Sequence, residues 1–529
     1  MASSLQSSRI LNDSYTIAFL SCLFIEGEVC ANARYNNNEE LLKVTNPEEV
    51  NIKRSDFPSE FVFGAATAAP QIEGATNQYG KGPSIWDEFA AENPGKIADF
   101  SKNKLRGIKS YERYKSDIEY LKRLGVDSYR FSISWPRILP SGSLSGGINQ
   151  EGINHYNNVI DELVKHGIKP FVTLLHFDLP QELQDKYGGF LSSSIVKDFK
   201  DYAKICFKAF GDRVKNWITI NEPLIVAQMG YDLGVAAPGR CSAPFIAGPC
   251  NAGNSSIEPY IVTHNVLLAH AAAVKLYRLR YQQSQRGEIG ISHVGKYLES
   301  YSESPEDKAA AKRVLDFELG WFMEPLVYGD YPESMKNLVK ERLPSFSKKE
   351  KELIKGSFDF IGINYYTSRY ARASNISMDL RYSNDPLATQ ETEKEGIPIG
   401  PKAEGSSFLY VYPEGLQKLL WVIKERYQSP KIYITENGVT EVNQSNRTLD
   451  QALRDPHRTI FILRHLYRVR EAIKLGVNVK GYFYWALFDD FEWGDGYTIR
   501  FGLYHIDYQD NLKRIPKESA KWLPTFLKT

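Results

Sequence analysis

Residues 163–177 read LVKHGIKPFVTLLHF. The first part closes an amphipathic helical segment at Gly167, a residue that can take the left-handed conformation that stops a helix. A run of β-branched, aromatic and apolar residues follows at once, and such a run suits a strand buried on both faces. The same transition recurs along the chain, as LKRLG followed by VDSYRFSISW and as AIKLG followed by VNVKGYFYWAL, with a looser version in CFKAFGDRVKNWITINEP. Tyr111, Tyr114, Ile118 and Leu121 repeat at helical spacing before Gly125.

Eight strand candidates emerge, near residues 61–69, 128–135, 169–177, 216–223, 288–294, 358–366, 432–438 and 480–487. Eight strands alternating with amphipathic helices predict an α/β chain that closes into a single-domain (β/α)8 TIM barrel. A doubly wound open sheet is the competing fold. It would carry a glycine-rich phosphate turn after an early strand, and the sequence has none. The barrel is expected over 57–529, with a long polar loop over the site from about Ser374 to Ser407.

Before the barrel come an apolar stretch and a polar lead. Residues 15–25, YTIAFLSCLFI, are too short to span a bilayer. With the small-x-small triplet Ala31-Asn32-Ala33 they read as a signal peptide over 1–33, leaving 34–56 as the lead. That reading implies the secretory pathway (vacuole, apoplast or ER), with a Ser-rich plastid transit peptide as its competitor. Sequons begin at Asn254, Asn375, Asn443 and Asn446. Cys241 and Cys250 flank a short Gly/Pro-rich loop. A disulfide there suits an oxidising compartment, against two free thiols in a cytosolic one, and the N-terminal pattern favours the disulfide.

With 65 basic and 64 acidic residues the net charge is +1, so neither a basic nucleic-acid face nor an electrostatic membrane anchor is indicated. No CxxC pair occurs, and no second His or Cys sits at ligand spacing near His176, so neither a metal nor a cofactor is called for. Aromatic residues make up 13% of the chain, which suits a large core or stacking platforms for flat ligand faces.

In an α/β barrel the chemistry sits at the C-terminal ends of the strands. Strand three ends at His176, strand four at Asn221-Glu222, strand six at Asn364 and Tyr366, and strand seven at Glu436-Asn437. Strand eight reaches Trp485, with Glu492 and Trp493 just beyond. One strand-end glutamate alone is more often half of an ion pair. Two of them on different strands, each beside an Asn and with tryptophans nearby, match the paired carboxyls of glycoside hydrolysis, where one protonates the leaving oxygen and the other attacks or activates water. Trp485 alone would be core, but sugars lie on aromatic faces while polar groups read their hydroxyls. Gln71, His176, Asn221 and Glu492 can supply those hydrogen bonds.

The motifs FVFGAATAAPQIEGA, GPSIWD, YRFSISWPRILP, HFDLPQ, TINEP, DFIGINYY, ITENG and DDFEWGDGYTIRFG, spread from about Phe57 to Leu527, resemble glycoside hydrolase family one, particularly the plant β-glucosidases. The resemblance implies a retaining hydrolase of O-β-D-glucosides with Glu222 as acid/base and Glu436 as nucleophile, the carboxyls about 5 Å apart. It implies glucose-binding roles for Gln71, His176, Asn221, Glu492 and Trp493, and a platform at Trp485. Arg130 and Tyr366 match residues that hold the nucleophile, and the Cys241–Cys250 loop resembles a disulfide loop of secreted members. Dimers or larger assemblies are allowed by the same analogy. Three positions depart from the pattern: Pro70 stands for Tyr, Phe177 for Trp and Phe408 for Trp. The last two fall at the aglycone slot, so a reshaped slot is expected, suited to a terpenoid, phenolic or alkaloid glucoside. A transglucosidase, a diglycosidase and an inactive sugar- or partner-binding scaffold are the rival readings.

Overall fold

The computed structural model describes residues 37–99, 107–375 and 379–529. The quoted stretch folds as its pattern dictates. A helix over Gln150–Lys165 ends before Gly167, which has φ +73°, and the strand Lys169–Leu175 begins two residues later. Gly125, at φ +70°, closes the helix Ser110–Leu124 in the same way. A side chain at either position would strain a left-handed backbone.

Eight parallel strands close the barrel in chain order: β1 Val62–Ala66, β2 Ser128–Ser132, β3 Lys169–Leu175, β4 Asn216–Asn221, β5 Glu288–Gly295, β6 Phe360–Tyr365, β7 Ile432–Asn437 and β8 Val479–Trp485. All eight begin within two residues of the stretches the sequence nominates, and several end two or three residues sooner. Pairing of Ala66 with Trp485 joins the first strand to the last, and Arg130 faces Phe171 across β2 and β3. One main helix follows each strand: α1 Ser110–Leu124, α2 Gln150–Lys165, α3 Ser194–Phe210, α4 Glu258–Arg280, α5 Trp321–Tyr328, α6 Pro413–Arg426, α7 Pro456–Lys474 and α8 Glu518–Phe526.

The barrel interior is plugged by aromatic rings. Phe171 from β3 meets Phe360, Tyr433 and Phe483 edge-on, with ring centres 5.4, 5.2 and 5.0 Å away. Gly64 and Gly290 leave the room: a Cβ on Gly64 would fall 2.3 Å from the Phe483 ring, and one on Gly290 2.9 Å from that of Phe360. The plug makes the barrel a packed core, so reactive side chains must gather at one end.

Two strands break register near their C-terminal ends. The β4–β5 pairing shifts between Ile218 and Asn221, and β7 shifts against both β6 and β8 after Ile434. Irregularities of this kind re-aim side chains, and these two strands lead into the two glutamates.

The segment from Ser374 to Ser407, expected to be a loop, has structure of its own. It contains the strand Ala388–Glu391, which pairs with Arg369–Ala373, and a small hairpin of Glu393–Lys394 with Ile397–Pro398. Thr389 pairs with Arg372 and Gln390 with Ala371 across this outer sheet, a local ladder hidden by the segment's polar composition. Part of the lead packs on the barrel, where Glu49 pairs with Arg464 and Arg468 of α7. The signal-peptide stretch, including Cys22 and Cys30, lies outside the described residues. Cys241 and Cys250 form a disulfide with Cα atoms 5.5 Å apart, and Cys206 is free and buried. Among the described residues no helix is long and apolar enough to cross a membrane.

A buried ion network fastens the C-terminus to the active end. Lys517, fully buried, pairs with Glu441 just after β7 and lies 2.9 Å from Asp489, just after β8. Asp489 also accepts from Arg500 at 2.6 Å and from the Gly502 N–H at 2.9 Å. Burial pushes the Glu441 carboxyl up, but Lys517 and Arg458 overcome that and hold it at about 2. Removing one member of such a network strands the others without solvent. Lys517→Met is expected to destabilise the fold by about 3–5 kcal/mol. A denaturant midpoint matching that of the parent protein would show that the network does not hold the fold.

Candidate active site

Glu222 follows β4 directly and opens the short helix Pro223–Tyr231. Its backbone is left-handed at φ +44°, a conformation that costs a non-glycine residue of order 1–3 kcal/mol and tends to mark functional sites. The Glu222 N–H donates to Ser292 O on β5 at 2.8 Å, which anchors the turn. Glu436 ends β7 across the mouth. Both carboxyls are buried, at 9% and 4% residual exposure.

The two acids are joined by an unbroken chain of polar contacts. Arg130, fully buried on β2, pairs through Nη1 with Glu436 Oε1 and donates from Nη2 to Asn221 Oδ1 at 2.6 Å. Asn364 on β6 donates from Nδ2 to the same Asn221 oxygen at 3.0 Å and to Glu222 Oε1 at 2.8 Å. Its own oxygen accepts from Thr435 Oγ1 at 2.6 Å. Tyr366 OH donates to Glu436 Oε2 at 2.7 Å. Glu436 therefore has a cation on one oxygen and a phenol donor on the other. Glu222 has a single amide donor. Burial, and then the charge of Glu436, push its carboxyl up to about 8. With Oε1 accepting from Asn364, the acid proton belongs on Oε2. Glu222 is thus prepared to carry a proton at neutral pH.

Around this pair the other nominated residues gather. Asn221 Nδ2 donates to His176 Nε2 at 3.1 Å, which leaves the imidazole proton on Nδ1, buried and without a protein partner. Burial and the nearby Arg130 charge hold His176 well below its usual pKa, so it is a neutral donor. Gln71 donates from Nε2 to Phe491 O at 2.8 Å and to Glu492 Oε2 at 3.3 Å, while its buried Oε1 has no protein partner. Burial, then Asp490, raise the Glu492 carboxyl well above the usual range. The His176 ring lies nearly parallel to Trp485 and Trp493, with centres 5.7 and 6.1 Å away. Buried polar atoms without a protein partner thus lie beside indole faces, an arrangement suited to a ligand with both polar groups and an apolar face.

Phe177 packs edge-on against Trp493 at 5.1 Å. Both residues are left-handed, at φ +70° and +48°, so the wall beside the indole pair is a strained one. Phe408 stands apart on another loop, half-buried, its carbonyl accepting from Arg369 Nη2 at 2.5 Å. Asn437 does not join the reactive group. It braces β7, donating to Tyr365 O at 2.5 Å and accepting from Tyr482 OH at 2.7 Å.

Asn364 is the functional residue that sequence reasoning left without a role. Its signal was its position on β6, two residues before Tyr366. Asp490 and Asp178 were missed altogether. Each is buried with one oxygen unpartnered; Asp490 lies 3.4 Å from Gln71 Nε2, and burial lifts Asp178, behind His176, to about 7. Among the described residues no cluster of His, Cys, Asp or Glu is disposed to hold a metal.

The family model for glycosyl hydrolase family 1 matches residues 53–529. β-Glucosidase 24 of Oryza sativa subsp. japonica is 55% identical over 478 residues, covering 90% of this chain and 94% of that protein. The furostanol glycoside 26-O-β-glucosidase of Hellenia speciosa is 56% identical over 486 residues, covering 91% and 85%. A mutant of the rice β-glucosidase Os3BGlu6, solved in a covalent complex with Glc from GA4GE, superposes with a TM-score of 0.88 at 46% identity, over 90% of this chain and 100% of that one.

Proposed function

The chain belongs to glycosyl hydrolase family 1, and from that premise we propose that it is a retaining β-glucosidase working by double displacement between Glu436 and Glu222. Glu436, steadied by Arg130 and Tyr366, attacks the anomeric carbon as an anion. Glu222 gives its proton to the glycosidic oxygen as the aglycone leaves. The ester bond to glucose consumes the charge of Glu436, and with it part of what holds the Glu222 pKa up. Glu222 can then take a proton from the water that releases the sugar. The observation that supports this reading is the polar chain from Glu222 through Asn364, Asn221 and Arg130 to Glu436, which sets one carboxyl on a guanidinium and the other on a neutral amide. Gln71, His176, Asn221, Glu492 and Trp493 are assigned to the glucose hydroxyls, and Trp485 to the face of the ring.

The test is the anomer formed first from p-nitrophenyl β-D-glucoside, followed by NMR before mutarotation. Retention requires β-glucose. Appearance of α-glucose first would refute the double displacement.

The aglycone is assigned to the specialised metabolites of plants. The relative named for furostanol glycosides supports this, as do the phenylalanines at 177 and 408. A pocket that loses or gains part of a ring shifts discrimination by about 10-fold or more. Phe177→Trp with Phe408→Trp is therefore expected to lower kcat/KM for bulky polycyclic aglycones relative to nitrophenol by about that factor. An unchanged ranking across an aglycone panel would remove these positions from the slot. The secretory route is assigned as well, supported by the Cys241–Cys250 disulfide. Fluorescence of the full chain tagged at its C-terminus checks it, with plastid import the opposing result.

A further inference from the structure

Two N-glycosylation sequons lie end to end after β7, Asn443-Gln444-Ser445 and Asn446-Arg447-Thr448. The fold treats them differently. Asn443 is half-buried with its carboxamide engaged at both ends: Nδ2 donates to Tyr497 O and Oδ1 accepts from Arg500 Nη2, each at 2.9 Å. Its backbone N–H donates to Thr498 O at 2.7 Å. Arg500 is the guanidinium that pairs with Asp489, and Asp489 begins the loop that carries Glu492 and Trp493. Asn443 is thus a strut between the end of β7 and the sugar-reading loop.

Asn446 faces the other way. It is exposed, on the turn before the helix Leu449–Leu453. Arg447 beside it turns inward to Glu404 at 2.7 Å, and Thr448 caps the helix through the Gln451 N–H at 3.3 Å. Asn254 is exposed too, with its oxygen held by Ser256. Only the pair at 443 and 446 makes the fold discriminate between neighbours.

We propose that Asn446 carries an N-linked glycan and that Asn443 stays bare, an inference that rests on the secretory reading above. The transfer takes place on the unfolded chain. Asn446 Nδ2 displaces a lipid-linked pyrophosphate from C1 of an oligosaccharide, forming the N–C bond and losing one proton. The fold then decides which product it can keep. A sugar on Asn446 projects into solvent. One on Asn443 would have to share Nδ2 with the Tyr497 carbonyl and leave through a polar wall that also contains Arg447, Arg500 and His505.

The full chain, secreted from a plant host behind a standard leader, is digested with a peptide-N-glycosidase in heavy-oxygen water and mapped by mass spectrometry. The expected result is labelled aspartate at 446 and unmodified asparagine at 443. Occupancy of Asn443, or a bare Asn446 in the secreted protein, overturns the assignment. Asn446→Gln should remove the glycan mass with kcat/KM on p-nitrophenyl glucoside unchanged, and Asn443→Gln should leave that mass in place. Because the leader is supplied, this outcome does not depend on the chain's own N-terminus. The same digest on the chain behind its native N-terminus tests the secretory reading separately.

Discussion

Glu436→Ala is expected to lower kcat on simple β-glucosides by about 10⁶-fold, the scale seen when a covalent nucleophile is deleted. The fold should survive at some cost in stability, because Arg130 loses its counter-ion but keeps Asn221 and Thr435 O as acceptors, and Tyr366 faces the pocket. Azide fills the space left by the carboxylate. Added azide is therefore expected to restore turnover and to give α-glucosyl azide, since a single displacement on that face inverts the anomeric centre. A loss of only about 10²–10⁴-fold, the scale of a lost proton donor, would take the nucleophile assignment away from Glu436.

Glu222→Ala should behave differently in each respect. Loss of a general acid costs about 10²–10⁴-fold, and the cost depends on the leaving group. Dinitrophenolate needs little protonation, so glycosylation by the variant should remain fast on dinitrophenyl glucoside and fail on alkyl glucosides. Azide should now attack the covalent intermediate and return β-glucosyl azide. The pH profile carries the sign. Burial and the Glu436 charge raise Glu222 to about 8, so the parent enzyme keeps its acid proton through neutrality and loses kcat/KM as pH rises through that value. The variant should lack this alkaline limb. If the limb persists unchanged, another group titrates there and Glu222 is not the acid.

The barrel was legible because its signals are local and repeated. A glycine such as Gly125 or Gly167 stops a helix, and a short, mostly apolar, β-branched and aromatic run after it, such as Phe171 to Leu175, suits a doubly buried strand. The glutamates were legible for a related reason, since a charged residue at the end of such a run must face the active end of the sheet. What escaped depends on neighbours distant in sequence. Asn364 becomes the link between Asn221 and Glu222 only when β4 and β6 stand on either side of β5. The shifts in β4 and β7 are properties of inter-strand hydrogen bonds, to which neither strand's own residues point. The hairpin within 374–407 was masked by polarity, because an outer sheet needs no hydrophobic run to form. Asp178 and Asp490 look like ordinary surface acids until the burial around them is known.

The pairing of Ala66 with Trp485 also sets a schedule. During synthesis β1 is among the first strands to leave the ribosome, and its closing partner β8 is the last. Until β8 arrives the sheet has two open edges, at β1 and at β7, which offer unpaired backbone to any other chain. Trp485, Glu492 and Lys517 all arrive in that final stretch, so neither the mouth of the barrel nor the ion network is complete on a nascent chain. A chain cut short before β8 is left as an open sheet.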